Sequence, residues 1–301
     1  MITKLSEIVE AARSNGRKRI AVAYGQDSHT LEAVYDAYKE GLIDATIYGD
    51  RETIERVCTQ NGIDSALFEI VDEKSDTKCV SLAVADVVSG KADILMKGLV
   101  STDKYMRGIL NKDAGLFPPK GTLSHVAIME MQDYHKLVVI SDVAVIPLPD
   151  FKQKQKLIGY LADTARLLGV ETPKIACIAP SEQVLPTVIS STDGAILAKM
   201  GDRGQLGNVI VDGPLSLDVA LYKDVAEHKK VKGSTVAGDP DCLLFPNIES
   251  GNVFFKSVSH LGHGELAAMV AGTNKPCVLT SRGDSTLTKK YSIALACLAA
   301  K

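Results

Sequence analysis

No stretch of this 301-residue chain approaches the roughly 18 consecutive apolar residues of a membrane-spanning helix. The opening run MITKLSEIVEAARSNGRKR has no apolar centre of the kind a secretory signal needs and reads as an amphipathic helix. An excess of basic charge is also missing. The formal net charge is −3, and the small clusters KQKQK (152–156) and HKK (228–230) are explained by solvated helix faces. Neither a membrane nor a nucleic acid is therefore expected as a partner. The six cysteines (Cys58, Cys79, Cys177, Cys242, Cys277 and Cys297) form no CxxC pair and mostly sit in apolar runs. Buried free thiols in a reduced, cytoplasmic protein are the expectation, and a zinc site is not. The histidines make no HExxH spacing; the nearest pair, HLGH (260–263), carries a glycine that suits a helix end better than a metal site. AYGQDSH (23–29) lacks the GxGxxG dinucleotide fingerprint, and there is no GxxxxGK[ST] loop and no GxSxG elbow. Repeats, low-complexity tracts and linkers are absent as well.

What is present is a chain 46% hydrophobic and 24% charged, enough for one large core or two domains. Short apolar runs alternate with runs of helical spacing. RIAVAYG (19–25) precedes SHTLEAVYDAYKEG (28–41), IDATIYG (43–49) precedes RETIERVCTQNG (51–62), and LFEIVD (67–72) precedes DTKCVSLAVADVVSG (76–90). ADILMKG (92–98) then leads into STDKYMRGILN (101–111). Strands alternating with single helices imply an α/β fold with a mostly parallel sheet. The Gly- and Pro-rich KDAGLFPPKGT (112–122) breaks this rhythm. Two apolar runs follow with little between them, LSHVAIMEM (123–131) and KLVVISDVAVIP (136–147), which predicts an antiparallel hairpin and the best place for a domain crossing. Alternation then resumes to a last strand, KPCVLTS (275–281), and a last helix. Two α/β domains fit this layout.

In open α/β sheets, ligands sit beyond the C-terminal strand ends, where loops and helix N-termini converge. After the fourth strand come Lys97, Ser101, Thr102 and Arg107. Ser101 or Thr102 fits a helix cap. Arg107 lies about one and a half turns inside the helix, as a surface charge or as an anion ligand reaching back. The turn TSRGDS (280–285) holds more chemistry than a connector needs. Ser281 ends the strand, Gly283 permits close backbone approach, and Asp284 or Ser285 caps the helix. Arg282 can give paired N–H bonds to a phosphate. A site for phosphate or a phosphorylated ligand is the reading these residues support.

At these residues the chain resembles the phosphate acetyl/butyryltransferase family, leaning to its butyryl branch. The likeness spans nearly the whole chain and rests on four motifs in order: KGLVSTDKYMRGIL (97–110), VDGPLSLDVAL (211–221), LLFPNIESGNVFFKSV (243–258) and KPCVLTSRGDS (275–285). The resemblance implies the reversible reaction acyl-CoA + phosphate ⇌ acyl phosphate + CoA, with no cofactor and no metal beyond these substrates. It implies a fold like that of isocitrate and isopropylmalate dehydrogenases, two α/β domains with the active site in the cleft between them. The chain end would return to the first domain, giving 1–122 plus 274–301 as one domain and 123–273 as the other. A homodimer or larger homo-oligomer is implied too. Ser281 matches the family serine associated with the CoA thiol, Arg282 the arginine at the phosphate and thioester end, and Arg107 the arginine that binds the transferred phosphoryl group. The acetyltransferases place a proposed basic aspartate seven residues after that serine, where this chain has Thr288. Asp284 is the carboxylate on the same turn. The expected catalytic set is thus Ser281, Arg282, Arg107 and Asp284, with Lys97, Ser101, Thr102, Gly283 and Ser285 binding substrate.

Three other readings compete. One is acetyl rather than butyryl transfer. Another is a metal-dependent dehydrogenase or decarboxylase of the same fold, with Asp239 and Asp241 as metal ligands, and the last is a non-catalytic acyl-CoA or phosphate sensor.

Overall fold

The apolar runs ahead of Leu123 become strands and the periodic runs become helices in the computed structural model, which describes residues 1–281 and 283–300. In chain order these are α1 (Leu5–Ser14), β1 (Lys18–Ala23), α2 (Ser28–Lys39), β2 (Ile43–Gly49), α3 (Arg51–Gln60), β3 (Glu69–Asp72), α4 (Asp76–Val88), β4 (Ile94–Lys97) and α5 (Thr102–Leu110). Short polar residues start four of the helices. The side chains of Asp27, Asp50, Ser75 and Ser101 accept from the N–H groups of Thr30, Thr53, Lys78 and Lys104, satisfying donors that a helix start leaves unpaired.

The middle of the chain forms β5 (Ser124–Glu130), β6 (Val138–Ser141), α6 (Phe151–Leu167), β7 (Lys174–Ile178), α7 (Ile189–Asp202), β8 (Ile210–Leu215), α8 (Leu217–Leu221), α9 (Lys223–His228), β9 (Cys242–Leu244) and α10 (Ile248–His260). Then β10 (Glu265–Ala271), β11 (Cys277–Val278) and α11 (Thr286–Ala299) complete it. Contacts divide the chain into two compact units. One is Leu5–Leu123 with the chain from Ala267 onward, and the other is Met1–Lys4 with Ser124–Leu266. Met1–Lys4 joins the second unit because Ile2 N–H donates to Leu168 O at 2.8 Å and Lys4 pairs with Glu130 at 3.2 Å.

In the first unit the strand order is β3-β2-β1-β4-β11-β10. All neighbours are parallel except β10, which runs antiparallel to β11. Successive strands run outward from β1 to β3, and the chain then crosses back to β4. Right-handed crossovers in opposite directions place α2 and α3 on one face and α4 on the other. α11 packs on α1 and α2, and α4 packs on α5. With both faces covered, Ile20–Ala23, Ile94–Met96 and Cys277–Val278 are all 0% exposed, which is why these strands read as unbroken apolar runs.

The second unit has the order β5-β6-β9-β7-β8. β5 and β6 form the antiparallel hairpin anticipated from their short link, with Ala127 opposite Ile140. The other pairs are parallel. The strand read over 136–147 ends at Ser141, however. The buried Asp142 carboxylate accepts the N–H groups of Ala144, Val145 and Ile146, together with Ser124 Oγ. A side chain that takes up three backbone donors leaves nothing for a strand ladder.

Candidate active site

The reversal of strand order in the first unit lies between β1 and β4, where α/β sheets open a crevice beyond the strand ends. Backbone packs closely there. Tyr24, the residue after β1, holds φ 58°, a region that a bulky side chain seldom enters. Its carbonyl accepts Leu99 N–H at 2.8 Å, and Gly98 N–H donates to Ala23 O at 2.9 Å. Gly98 is required because a Cβ there would lie 2.4 Å from the Tyr24 oxygen.

β11 lies beside β4, with Val278 opposite Met96, so their C-terminal ends emerge side by side. Tyr105 of α5, fully buried, donates between Leu95 O (3.3 Å) and Val278 O (3.0 Å). One hydroxyl therefore fixes α5 against both strand ends, and burial drives its pKa well above 10.0, so it stays a donor. Beyond β11 the chain turns sharply before α11. Asp284 N–H donates to Ser281 O at 3.2 Å, and Ser281 N–H donates to the Asp284 carboxylate at 2.6 Å. Ser285 caps α11, its Oγ accepting Thr288 N–H at 3.0 Å.

Ser281, Gly283, Asp284 and Ser285 are thus brought together on one turn, and Arg282 lies outside the described residues. Ser281, Gly283 and Ser285 are exposed, and a Cβ on Gly283 would meet nothing within 4 Å. Lys97 ends β4 and is buried, its Nζ donating to Gly98 O at 3.2 Å. Ser101 takes the capping role at α5, leaving Thr102 as the exposed first residue of that helix. Arg107 is on the surface, and its guanidinium pairs with Asp103 one turn back at 3.1 Å. Such an exposed pair contributes only about 0.3–0.5 kcal/mol, so an anion could readily draw the arginine away. Thr288 is buried and hydrogen-bonded to Ser285 Oγ, a structural role.

Lys289 is the residue the sequence reading missed. It is 3% exposed, and its Nζ donates to Ser281 O at 3.0 Å and Asp284 O at 2.9 Å. Burial pushes its pKa below 10.5, against the pull of Asp284 and Asp27. A signal existed: a lysine in the first turn of a helix opposes the helix dipole and needs a reason.

In the second unit the motif residues make close backbone contacts. Gly251 lets α10 approach the Asp142 carbonyl, which would lie 2.4 Å from a Cβ, and Asn252 Nδ2 donates to Val143 O at 2.9 Å. In VDGPLSLDVAL, Ser216 donates to Asp218 at 2.5 Å and is also bonded to Glu182. The Ser216 hydroxyl and Lys229 hold Asp218 at about 2.

Asp239 and Asp241 do not have the surroundings of metal ligands. Lys136 bridges them at 2.8 and 2.6 Å, and Lys174 and His135 also pair with Asp239 at 2.6 and 3.0 Å. They tie together the starts of β6, β7 and β9, at the N-terminal strand ends. Among the described residues no group of three or more metal-binding side chains occurs, and no helix is long and apolar enough to cross a membrane. All six cysteines are buried and free; burial raises Cys277 and Cys297 to about 12, the opposite of an activated thiolate.

The family described as Phosphate acetyl/butaryl transferase matches residues 3–83 and 77–297. The chain is 43% identical over 300 residues to a phosphate butyryltransferase of Clostridium acetobutylicum, covering 100% of this chain and 99% of that protein. It is 37% identical to a phosphate acetyltransferase of Thermotoga maritima, covering 97% and 98%. A solved branched-chain phosphotransacylase from Enterococcus faecalis V583 superposes with TM-score 0.83 at 28% identity, over 94% of this chain and 100% of that one. 4-Hydroxythreonine-4-phosphate dehydrogenase from Klebsiella pneumoniae superposes with TM-score 0.54 at 14% identity, over 93% and 98%. That last likeness carries the fold alone, in agreement with the dehydrogenase-like architecture anticipated from the sequence.

Proposed function

The chain belongs to the phosphate acetyl/butyryl transferase family and is an acyltransferase, and from that premise we propose that it transfers a butyryl group between CoA and inorganic phosphate. The observation that carries the butyryl assignment is the 43% identity to a phosphate butyryltransferase over the full chain. In one direction CoA thiolate attacks the acyl carbon of the acyl phosphate, the C–S bond forms, and the C–O bond to phosphate breaks. In the other, a phosphate oxygen attacks the thioester and the thiolate leaves. Direct attack in a ternary complex suits the cysteines, which are buried and far from activation.

Both directions develop an oxyanion, which fixed N–H donors and guanidinium groups stabilise. We assign that role to Arg282 and Arg107, with Ser281 beside the thiol and Asp284 accepting its proton. Lys97, Ser101, Thr102, Gly283 and Ser285 bind the anionic substrates. The packing of β4 and β11 side by side supports this reading, because their ends carry Lys97 and Ser281 within one unit. Holding two anionic reactants in line contributes a large share of the rate by itself. We further propose that CoA and phosphate are the only small molecules required, that the enzyme works in the cytoplasm, and that it assembles as a homodimer or larger homo-oligomer. The test is release of free thiol from butyryl-CoA on adding inorganic phosphate. A protein that binds phosphate without releasing thiol is a sensor, and one that binds a nicotinamide nucleotide instead is a dehydrogenase.

A further inference from the structure

Lys289 donates to the 281–285 turn at three points. Its backbone N–H donates to Ser285 O at 3.1 Å, and its Nζ donates to Ser281 O at 3.0 Å and Asp284 O at 2.9 Å. All three contacts draw carbonyl oxygens inward. In a trans peptide the C=O and N–H point in opposite directions. The peptide joining Asp284 to Ser285 directs its C=O at Lys289, so its N–H faces away from the ammonium, on a turn whose Ser281, Gly283 and Ser285 are exposed.

A cation at this place is costly on two counts. The residue is only 3% exposed, and it stands in the first turn of α11, where the helix dipole opposes positive charge. Asp284 and the α2 cap Asp27 offset part of that cost. Neutral packing would close the same core position more cheaply. What only an ammonium supplies is several donors from one point, plus a positive charge directly behind an exposed turn.

We propose that Lys289 is a positioning residue for phosphate: its ammonium holds the Ser281 and Asp284 carbonyls inward, so that the turn presents the Ser285 N–H and the Ser281 hydroxyl to the anion, the Ser281, Gly283 and Asp284 N–H groups being bonded within the turn. The inference rests on the reading above that this turn takes the phosphate group. Lys289 itself does not touch the substrate. It acts through the backbone it holds.

The test uses the full chain and two uncharged variants, Lys289→Met and Lys289→Gln, with Lys289→Arg as the conservative one. Inorganic phosphate is titrated calorimetrically in the absence of CoA, steady-state constants are measured with butyryl-CoA, and the urea midpoint is recorded. Loss of a charge-assisted contact should raise the phosphate Kd and KM about tenfold or more, with KM for butyryl-CoA much less changed, and Lys289→Arg should recover part of the loss. A lower urea midpoint with unaltered phosphate binding would overturn the inference, as would unfolding of both uncharged variants while Lys289→Arg stays folded. So would a wild-type protein that neither binds phosphate nor is saturated by it. If the wild type binds phosphate but releases no thiol, the transferase reading fails, and the phosphate Kd of the variants still decides the role of Lys289.

Discussion

The carbonyl oxygen of Tyr24 occupies the space into which a side chain on Gly98 would grow, 2.4 Å from an ideal Cβ. The same oxygen accepts Leu99 N–H at 2.8 Å, so neither partner can retreat without breaking the link between the ends of β1 and β4. Gly98→Ala should therefore cost about 1–3 kcal/mol, as overpacking against backbone does, and disturb the adjoining Lys97. Urea unfolding measures it. A midpoint equal to wild type would mean that the contact relaxes freely and that this strand end is softer than its geometry indicates.

Arg282 follows Ser281 in the sequence and is assigned to the developing oxyanion. Arg282→Ala should lower kcat by roughly two orders of magnitude or more, the size of effect seen when an oxyanion donor is removed. Arg282→Lys should restore only part, because a point charge does not reproduce a forked contact. Near-normal turnover in a folded Arg282→Ala protein would take this residue out of the site.

Chelation separates the transferase from a metal-dependent relative of the same fold. Asp239 and Asp241 spend their carboxylates on Lys136 and Lys174, and the proposed site neutralises phosphate with arginine, lysine and backbone N–H groups. Excess EDTA should leave the initial rate essentially unchanged. Collapse of the rate with recovery on adding magnesium or manganese would count against the proposed mechanism.

The same lysine–aspartate network predicts acid behaviour. Burial alone would raise the Asp239 pKa, but its bonds and charge contacts with Lys136 and Lys174 outweigh that and hold it at about 2, below the ordinary 3.8. The unfolded chain therefore takes up the proton first as pH falls, and the stability that Asp239 contributes above 3.8 is lost on the way down to about 2. Asp239→Asn should lower the urea midpoint at neutral pH and flatten its decline across that acid window. Asp218, held at about 2 by Ser216 and Lys229, acts in the same range, so part of the decline should persist. An acid limb as steep as wild type would show that Asp239 is not among the groups responsible.

How much of this was legible in the sequence depended on whether the cause was local. The βα rhythm of the first unit and the caps at Ser101 and Ser285 rest on residues within a turn of each other, and they were readable. So was the hairpin of β5 and β6. The end of β6 was misread because Val143, Val145 and Ile146 continue an apolar alternation that looks like strand, while the cause of the break is one carboxylate, Asp142. Lys289 was missed for a different reason. Its burial depends on α11 packing against α1 and α2, which joins segments far apart in the chain. The motif serine and glycine were visible as chemistry, whereas the lysine behind them carries in the sequence only the faint signal of a cation at a helix start, until the fold encloses it.

Acyl preference is the remaining expectation, and it rests on energetics as much as on kinship. Burying a methylene is worth about 0.8 kcal/mol, so the two that distinguish butyryl from acetyl can favour the longer chain by about tenfold or somewhat more. An apolar pocket discriminates by addition, so each methylene removed should cost a similar factor until the chain becomes too long. kcat/KM should accordingly peak at four carbons, with propionyl- and valeryl-CoA next and acetyl-CoA clearly poorer. Residual acetyl transfer is compatible with that argument, since a hydrophobic pocket rejects a smaller group only by failing to fill. A higher kcat/KM for acetyl-CoA than for butyryl-CoA is not compatible with it, and would place the chain with relatives such as the Thermotoga maritima phosphate acetyltransferase.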